Sequence, residues 1–194
     1  MRKVYLYPDT SATQDAFAAL APRLHIPLRS GAPGQGQMTG HQIDLGGGIA
    51  ARARAYATWS SVLPVGEEIR AVLVPPPGPV ASLGKVLGNR TTLYKYLNPR
   101  AFAVLSAGPH SCGVYVLDGA KGNIIYRAEV PAADGCDVQA EFVENWLVYV
   151  YWDMRAPAKG QRVVSVELYE GHGVDDKRRR CVCTTICLRC ATED

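Results

Sequence analysis

Four cysteines near the carboxyl terminus come closest to a chemical site in this sequence. They follow the pattern C-x-C-x3-C-x2-C, as Cys181, Cys183, Cys187 and Cys190. Four thiolates this close together are able to hold a Zn²⁺ ion. Structural zinc sites, however, usually combine two knuckles separated by a longer loop, whereas these cysteines follow a basic run at 177–180. We therefore expect no metal site, and interpret 172–194 as a Cys/Arg-rich tail that is disordered or non-native; a small zinc-binding protein is the alternative.

Motifs for hydrolysis and for phosphate binding are both incomplete. Ser111 lies in the segment GPHSCG, where Pro109 occupies the position at which a nucleophile elbow requires glycine. The segment 78–85 resembles a phosphate-binding loop, but its glycines are spaced too widely and Val86 replaces the hydroxyl that would bind Mg²⁺. Neither segment predicts a catalytic or nucleotide-binding site.

The titratable side chains do not form a recognisable acid–base or metal-binding pattern. The four histidines are scattered through the sequence, as His25, His41, His110 and His172. Two neighbouring carboxylates, Glu67 and Glu68, lie in a predicted turn, which favours a solvated pair. We therefore predict a protein that is not an enzyme, with no catalytic residues and no cofactor.

Charge and hydropathy exclude further classes of protein. The 194 residues carry 21 basic and 18 acidic side chains, a balance that argues against nucleic acid as a partner. No apolar run approaches the length of a transmembrane helix, and the first residues lack the apolar segment of a signal peptide. We expect a globular chain without a transmembrane segment of its own.

One short motif predicts a modification rather than a reaction. Asn89, Arg90 and Thr91 form an N-x-T sequon, the acceptor sequence for N-glycosylation. The motif matters only in a secreted or lumenal protein, and the predicted strand that begins at Thr91 would hinder modification if it buried Asn89. Asn89 is therefore a candidate glycosylation site whose use depends on exposure and compartment.

The elements that must position these residues are mainly strands. One helix is predicted at 14–20, and a proline-rich segment at 75–79 predicts a rigid extended connector. Segments rich in β-branched and aromatic residues then recur about every ten residues. They are 91–96, 102–106, 113–117, 124–130, 138–143, 147–152 and 163–169. This spacing predicts an all-β sandwich, barrel or propeller.

A weak internal repeat favours the propeller over the sandwich. The segments 102–105 and 114–119 are echoed by 147–150 and 166–171, so that Leu117 corresponds to Leu168. A repeat of this length with about four strands is typical of propeller blades. A tight turn is predicted at 118–122, where Asp118 and two glycines provide the required backbone freedom.

Alternation along 146–152 predicts how one strand packs. Side chains of successive strand residues point to opposite faces, which places Trp146 and Trp152 on one face and Tyr149 and Tyr151 on the other. A propeller blade is covered on both faces by its neighbours. We therefore expect most of these four aromatic side chains to be buried.

Three longer segments resemble a known family. They are 84–99 (GKVLGNRTTLYKYLNP), 113–119 (GVYVLDG) and 144–152 (ENWLVYVYW), and their order and spacing also match. They resemble subunit 1 of the endoplasmic reticulum membrane protein complex, and the upstream segments 4–10 and 66–69 are similar to its fungal branch. The resemblance covers roughly residues 3–171, which we interpret as a fragment of the C-terminal lumenal region.

The resemblance implies both a fold and a role. It implies antiparallel four-stranded blades of an incomplete, quinoprotein-like β-propeller over 1–171, with one short N-terminal helix and no quinone cofactor. It also implies a non-catalytic scaffold on the lumenal side of the endoplasmic reticulum membrane. The partners would be other subunits of the complex and client membrane proteins, since the complex inserts and helps to fold tail-anchored and multipass proteins. A stand-alone β-propeller that binds proteins is the alternative.

Overall fold

The computed structural model describes residues 2–46, 53–131, 135–154 and 159–171, together with the backbone of 186–192. Helix α1 spans Ser11–Leu20 and is followed by a 3-10 turn at Ala21–Arg23. The strands in these ranges are β1 (Arg2–Lys3), β2 (His25–Ser30), β3 (Gln37–Asp44), β4 (Arg54–Val62), β5 (Glu68–Leu73), β6 (Gly84–Val86), β7 (Thr92–Tyr94), β8 (Ala101–Ala107), β9 (Ser111–Asp118), β10 (Ile124–Pro131), β11 (Val138–Val143), β12 (Trp146–Asp153), β13 (Gly160–Glu170) and β14 (Ile186–Thr192).

Twelve of these strands form three four-stranded antiparallel sheets, here called blades 1, 2 and 3. Blade 1 has the order β1-β4-β3-β2, blade 2 the order β10-β9-β8-β5 and blade 3 the order β11-β12-β13-β14. In blades 2 and 3 each strand pairs with the blade's next strand along the chain, as in a propeller blade. The prediction of four-stranded antiparallel blades is confirmed.

Blade 2 is buried on both faces, because its central strands β8 and β9 are mainly apolar and are buried at nearly every position. Phe102 and Val104 of β8 pack with Met38 of blade 1, while Ala103 and Leu105 pack toward blade 3. Strand residues alternate between faces, so a continuous apolar run supplies two interfaces at once. This strand is the centre of the core.

The internal repeat seen in the sequence corresponds to the blades. The segments 102–105 and 147–150 lie on β8 and β12, the second strands of blades 2 and 3. Leu117 and Leu168 lie on the third strands, and both are fully buried. The repeat therefore corresponds to two blades with the same arrangement of strands.

The short helix packs on blade 1. Thr10 caps its first turn, since the Thr10 Oγ1 atom accepts a hydrogen bond of 3.2 Å from the Thr13 amide. Phe17 packs against Ile43 and Ala55 on the face of blade 1 that the helix covers. The helix begins three residues before the predicted start at Gln14, because the cap lies further upstream.

The alternation predicted for β12 is correct, but the predicted burial of its tryptophans is wrong. Leu147 and Tyr149 face blade 2 and are buried. Trp146 and Trp152 share the opposite face and are 48% and 51% exposed. About half of each indole therefore remains in contact with water.

The predicted tight turn at 118–122 is confirmed; it connects β9 to β10 within blade 2 and is contacted by blade 1. The Gly122 amide donates to the Asp118 carbonyl at 2.7 Å, and Gly122 has a φ of +74°. Trp59 of blade 1 covers this turn and donates from Nε1 to the Gly119 carbonyl at 2.9 Å. A Cβ atom on Gly122 would lie 2.5 Å from the Trp59 ring, so only glycine fits.

We predict that Gly122→Ala lowers the free energy of unfolding by about 1–2 kcal/mol, because the new methyl group meets Trp59 and strains a left-handed backbone. In a chain of this size the thermal midpoint falls roughly 2–4 °C for each kcal/mol. Gly78→Ala is the matched control, since a Cβ there meets nothing within 4 Å. Equal thermal midpoints for the two variants would contradict this account of the turn.

The last described strand lies within the segment expected to be a disordered tail. Strand β14 pairs with β13 along its whole length and completes blade 3. An uncovered edge of β13 would expose a row of unpaired backbone groups, and β14 satisfies them. The interpretation of 172–194 as a disordered or non-native tail stays a prediction, since only the backbone of 186–192 is described in that segment. The division of the chain at 171 remains a prediction.

Candidate functional site

An extra hairpin, β6 and β7, is inserted between the first and second strands of blade 2. The proline-rich connector leads into it, and its base is fastened to blade 3 rather than to its own blade. The Tyr96 amide donates to the Leu168 carbonyl at 3.0 Å, and Lys95 forms a β-bridge with Tyr169. Strand β6 was not predicted, because it has only three residues and begins at a glycine.

A groove opens where this hairpin meets blade 3. Its volume is about 440 Å³. It is lined by Ser82, Gly84, Lys85, Lys95, Val143, Glu144, Trp146, Glu167 and Tyr169. The lining residues include no histidine and no cysteine. The half-exposed indole of Trp146 is instead the kind of anchor found in protein interfaces.

Three of the four charged side chains that line the groove have a hydrogen-bond partner within it. Lys95 Nζ donates to Glu144 Oε2 at 2.8 Å. The Tyr169 hydroxyl donates to the Glu167 carboxylate. With two lysines and two glutamates in its lining, the groove has no net charge. It is therefore suited to a neutral, partly apolar surface rather than to a small ion.

The Lys95 ammonium lowers the pKa of Glu144 below its ordinary value. We predict that Lys95→Gln raises this pKa, which a carboxyl NMR titration would measure. A lowered carboxyl pKa means that the pair stabilises the fold above the ordinary pKa, and that this contribution is lost as the pH falls through the folded-state pKa. Lys85→Gln is the control and leaves the titration unchanged, since Lys85 is not bonded to Glu144. An unmoved titration in Lys95→Gln would contradict the assignment.

Glu67 is buried, so the expectation that Glu67 and Glu68 form a solvated carboxylate pair is wrong for Glu67. Its side chain is only 4% exposed, beside the interface of blades 1 and 2. The Tyr115 hydroxyl donates to Glu67 Oε2 at 2.8 Å, and the Ser106 hydroxyl donates to the same oxygen. Burial, together with the bond to Glu67, raises the pKa of Tyr115. The Glu67 carboxylate is hydrogen-bonded inside the protein, and its role is structural. The sequence did contain a signal for a buried acceptor, namely a serine and a tyrosine (Ser106 and Tyr115) within two mainly apolar strands.

A disulfide joins Cys112 to Cys136, two cysteines that are isolated from each other in the sequence. Their Cα atoms are 5.5 Å apart. Cys112 is buried near the start of β9, and Cys136 lies in the connection between blades 2 and 3. Sequence reasoning missed the pair because a contact across 24 residues depends on the fold.

The other predicted site residues are not brought together. The part of the chain that the structure describes contains no group of three metal-binding side chains. Cys181 and Cys183 lie outside the described residues, and Cys187 and Cys190 belong to β14, of which only the backbone is described. The zinc hypothesis therefore stays untested. Ser111 Oγ is bonded to Glu129 at 3.4 Å, on the exposed surface.

The sequence matches a family described as ER membrane protein complex subunit 1, second beta-propeller, over residues 1–185. The chain belongs to this family. A relative named ER membrane protein complex subunit 1 from Schizosaccharomyces pombe is 39% identical over 131 residues, which is 66% of this chain and 15% of the relative. The relatives of that name from Xenopus laevis and Saccharomyces cerevisiae are 40% and 33% identical, over 47% and 50% of this chain and 10% and 13% of their own lengths.

The family description agrees with the blades. This member of the subunit 1 family has the propeller architecture that the sequence predicted, in three four-stranded sheets. The matched part of the chain spans at most 15% of the length of the relatives named above. Among the described residues, no helix has the length and apolar character needed to cross a bilayer.

Proposed function

We propose that this chain is a non-catalytic scaffold portion of the endoplasmic reticulum membrane protein complex, on the lumenal side of the membrane. The match of residues 1–185 to the second propeller of subunit 1 is the observation that carries the proposal. In this role the blades support the insertion and folding of tail-anchored and multipass membrane proteins by holding other subunits in place. Their rigidity suits that task, since blade 2 is packed on both faces.

The disulfide supports the lumenal side. Disulfides persist in oxidising compartments, including the lumen of the endoplasmic reticulum, and are rare in the cytosol. The bond between Cys112 and Cys136 fastens blade 2 to the connection that leads to blade 3. A protein that depends on such a bond is suited to the lumen.

The groove beside the hairpin is the surface that we assign to another subunit. It is uncharged overall, and Trp146 presents half of its side chain there. Aromatic anchors of this kind often contribute about 2 kcal/mol or more to an interface. The same indole contributes little to the core, so the two roles can be separated by substitution.

Co-purification of the complex tests the proposal. In a full-length subunit 1 that carries this propeller, we expect Trp146→Ala to reduce the recovery of other subunits by about tenfold or more, the factor for 1.4 kcal/mol. Trp152→Ala is the matched control, because it is equally exposed on the same strand but does not line the groove. Equal recovery with both variants would contradict the groove assignment. Failure of the unaltered protein to recover any other subunit would contradict the scaffold role.

A further inference from the structure

The turn that joins β6 to β7 is an exposed tip on a fixed base. The Leu87 amide donates to the Thr91 carbonyl at 2.8 Å, and the Arg90 amide donates to the Leu87 carbonyl at 2.9 Å. The residues from 88 to 91 are all exposed. A Cβ atom placed on Gly88 would meet nothing within 4 Å, so there is open space around the tip.

The asparagine at this tip is held in a defined orientation. Asn89 Oδ1 accepts a hydrogen bond of 2.6 Å from the Thr91 hydroxyl and one of 3.1 Å from the Thr91 amide. Because a backbone amide can only donate, it identifies the oxygen of the Asn89 side chain. Both bonds use this oxygen, and neither uses the amide nitrogen Nδ2.

We propose that Asn89 is an N-glycosylation site. The inference rests on the lumenal location proposed above, and combines the sequon with an exposed tip. Asn89 Nδ2 forms a bond to C1 of an oligosaccharide carried on a polyprenyl diphosphate. The bond from C1 to the diphosphate oxygen breaks, the diphosphate leaves with the electron pair, and Nδ2 releases one proton.

Asn89 is not buried by the strand that follows it, although the sequence had raised that concern. A strand beginning at Thr91 threatened to bury the acceptor, but β7 begins at Thr92 and both Asn89 and Thr91 are exposed. Asn89 belongs to the only N-x-S/T triplet in the sequence, so any N-linked sugar on this chain reports on one position. A hydrated sugar there would keep the tip of the hairpin out of subunit interfaces.

The test expresses the full chain behind a cleavable secretory leader in a eukaryotic cell. We expect one N-linked glycan, seen as a mobility shift that an endoglycosidase reverses, and deglycosylation in ¹⁸O-water that labels residue 89. Asn89→Gln and Thr91→Ala abolish the shift. Thr91→Ser preserves it, because serine keeps the hydroxyl that the sequon requires.

Two features of this experiment separate the inference from the proposed function. The leader forces entry into the lumen, so the result does not depend on where the native protein resides. Non-reducing peptide mapping of the Cys112–Cys136 bond reports that the chain has reached the lumen and folded there. An unshifted chain would overturn the assignment of Asn89, and so would a shift that survives in Asn89→Gln. Co-purification of the complex is unaffected by either result.

Discussion

Truncation of Phe142 to alanine is expected to lower the free energy of unfolding by about 3–5 kcal/mol, as for other buried aromatic residues. The Phe142 side chain is 1% exposed and packs in the cluster between blades 2 and 3. Its removal leaves a cavity between two sheets whose backbones are fixed by their ladders, so the site cannot close. Denaturant unfolding of the full chain, followed by far-UV circular dichroism, measures the loss.

Trp146→Ala is the matched control for this prediction. It also removes a large aromatic side chain from blade 3, but from the face that is 48% exposed. We expect a loss of roughly 1 kcal/mol, because surface truncations away from the core have small effects. If the two variants lose equal stability, the assignment of buried and exposed faces in blade 3 is wrong.

Loss of the Cys112–Cys136 disulfide is expected to lower the free energy of unfolding by about 3 kcal/mol. The bond closes a loop across 24 residues, and loop-closure entropy sets the magnitude at this length. The comparison uses the chain with and without a reducing agent, because reduction breaks the bond without deleting buried atoms. The quantity measured is the difference between the denaturation midpoints of the oxidised and the reduced chain.

The double variant Cys112→Ala with Cys136→Ala controls for the other four cysteines. Reducing agent should lower the midpoint of the wild-type chain and leave that of the double variant unchanged. A shift of the same size in both chains would assign the effect to the cysteines between 181 and 190. No shift in the wild-type chain would contradict a stabilising role for the bond.

The strands were predictable because their signal is local. Periodic apolar residues and turn formers marked β8 to β13 within a few residues, and the echo of Leu117 at Leu168 revealed the blade. Parity along β12 was also predictable, since alternation follows from the pleat alone. These features need no knowledge of what lies across the core.

The features that sequence reasoning missed all depend on neighbours distant in the chain. Glu67 was expected in water, but Tyr115 and Ser106 of adjacent strands supply its donors. Cys112 meets Cys136 only once blade 2 and the next connection are folded. The exposure of Trp146 depends on which face of blade 3 is covered by another part of the protein, and the sequence of one strand does not contain that information. The groove is equally non-local, because a hairpin from blade 2 and the strands of blade 3 form it together.

The inserted hairpin has a mechanical consequence. Neighbouring blades meet mainly through apolar side chains, and hydrophobic contact has no preferred direction. The hairpin is inserted between two strands of blade 2 and is bonded to blade 3 through Tyr96 and Lys95. These directional bonds oppose a shearing movement of one blade past the other. A load applied to blade 3 would therefore be shared with blade 2 through these bonds.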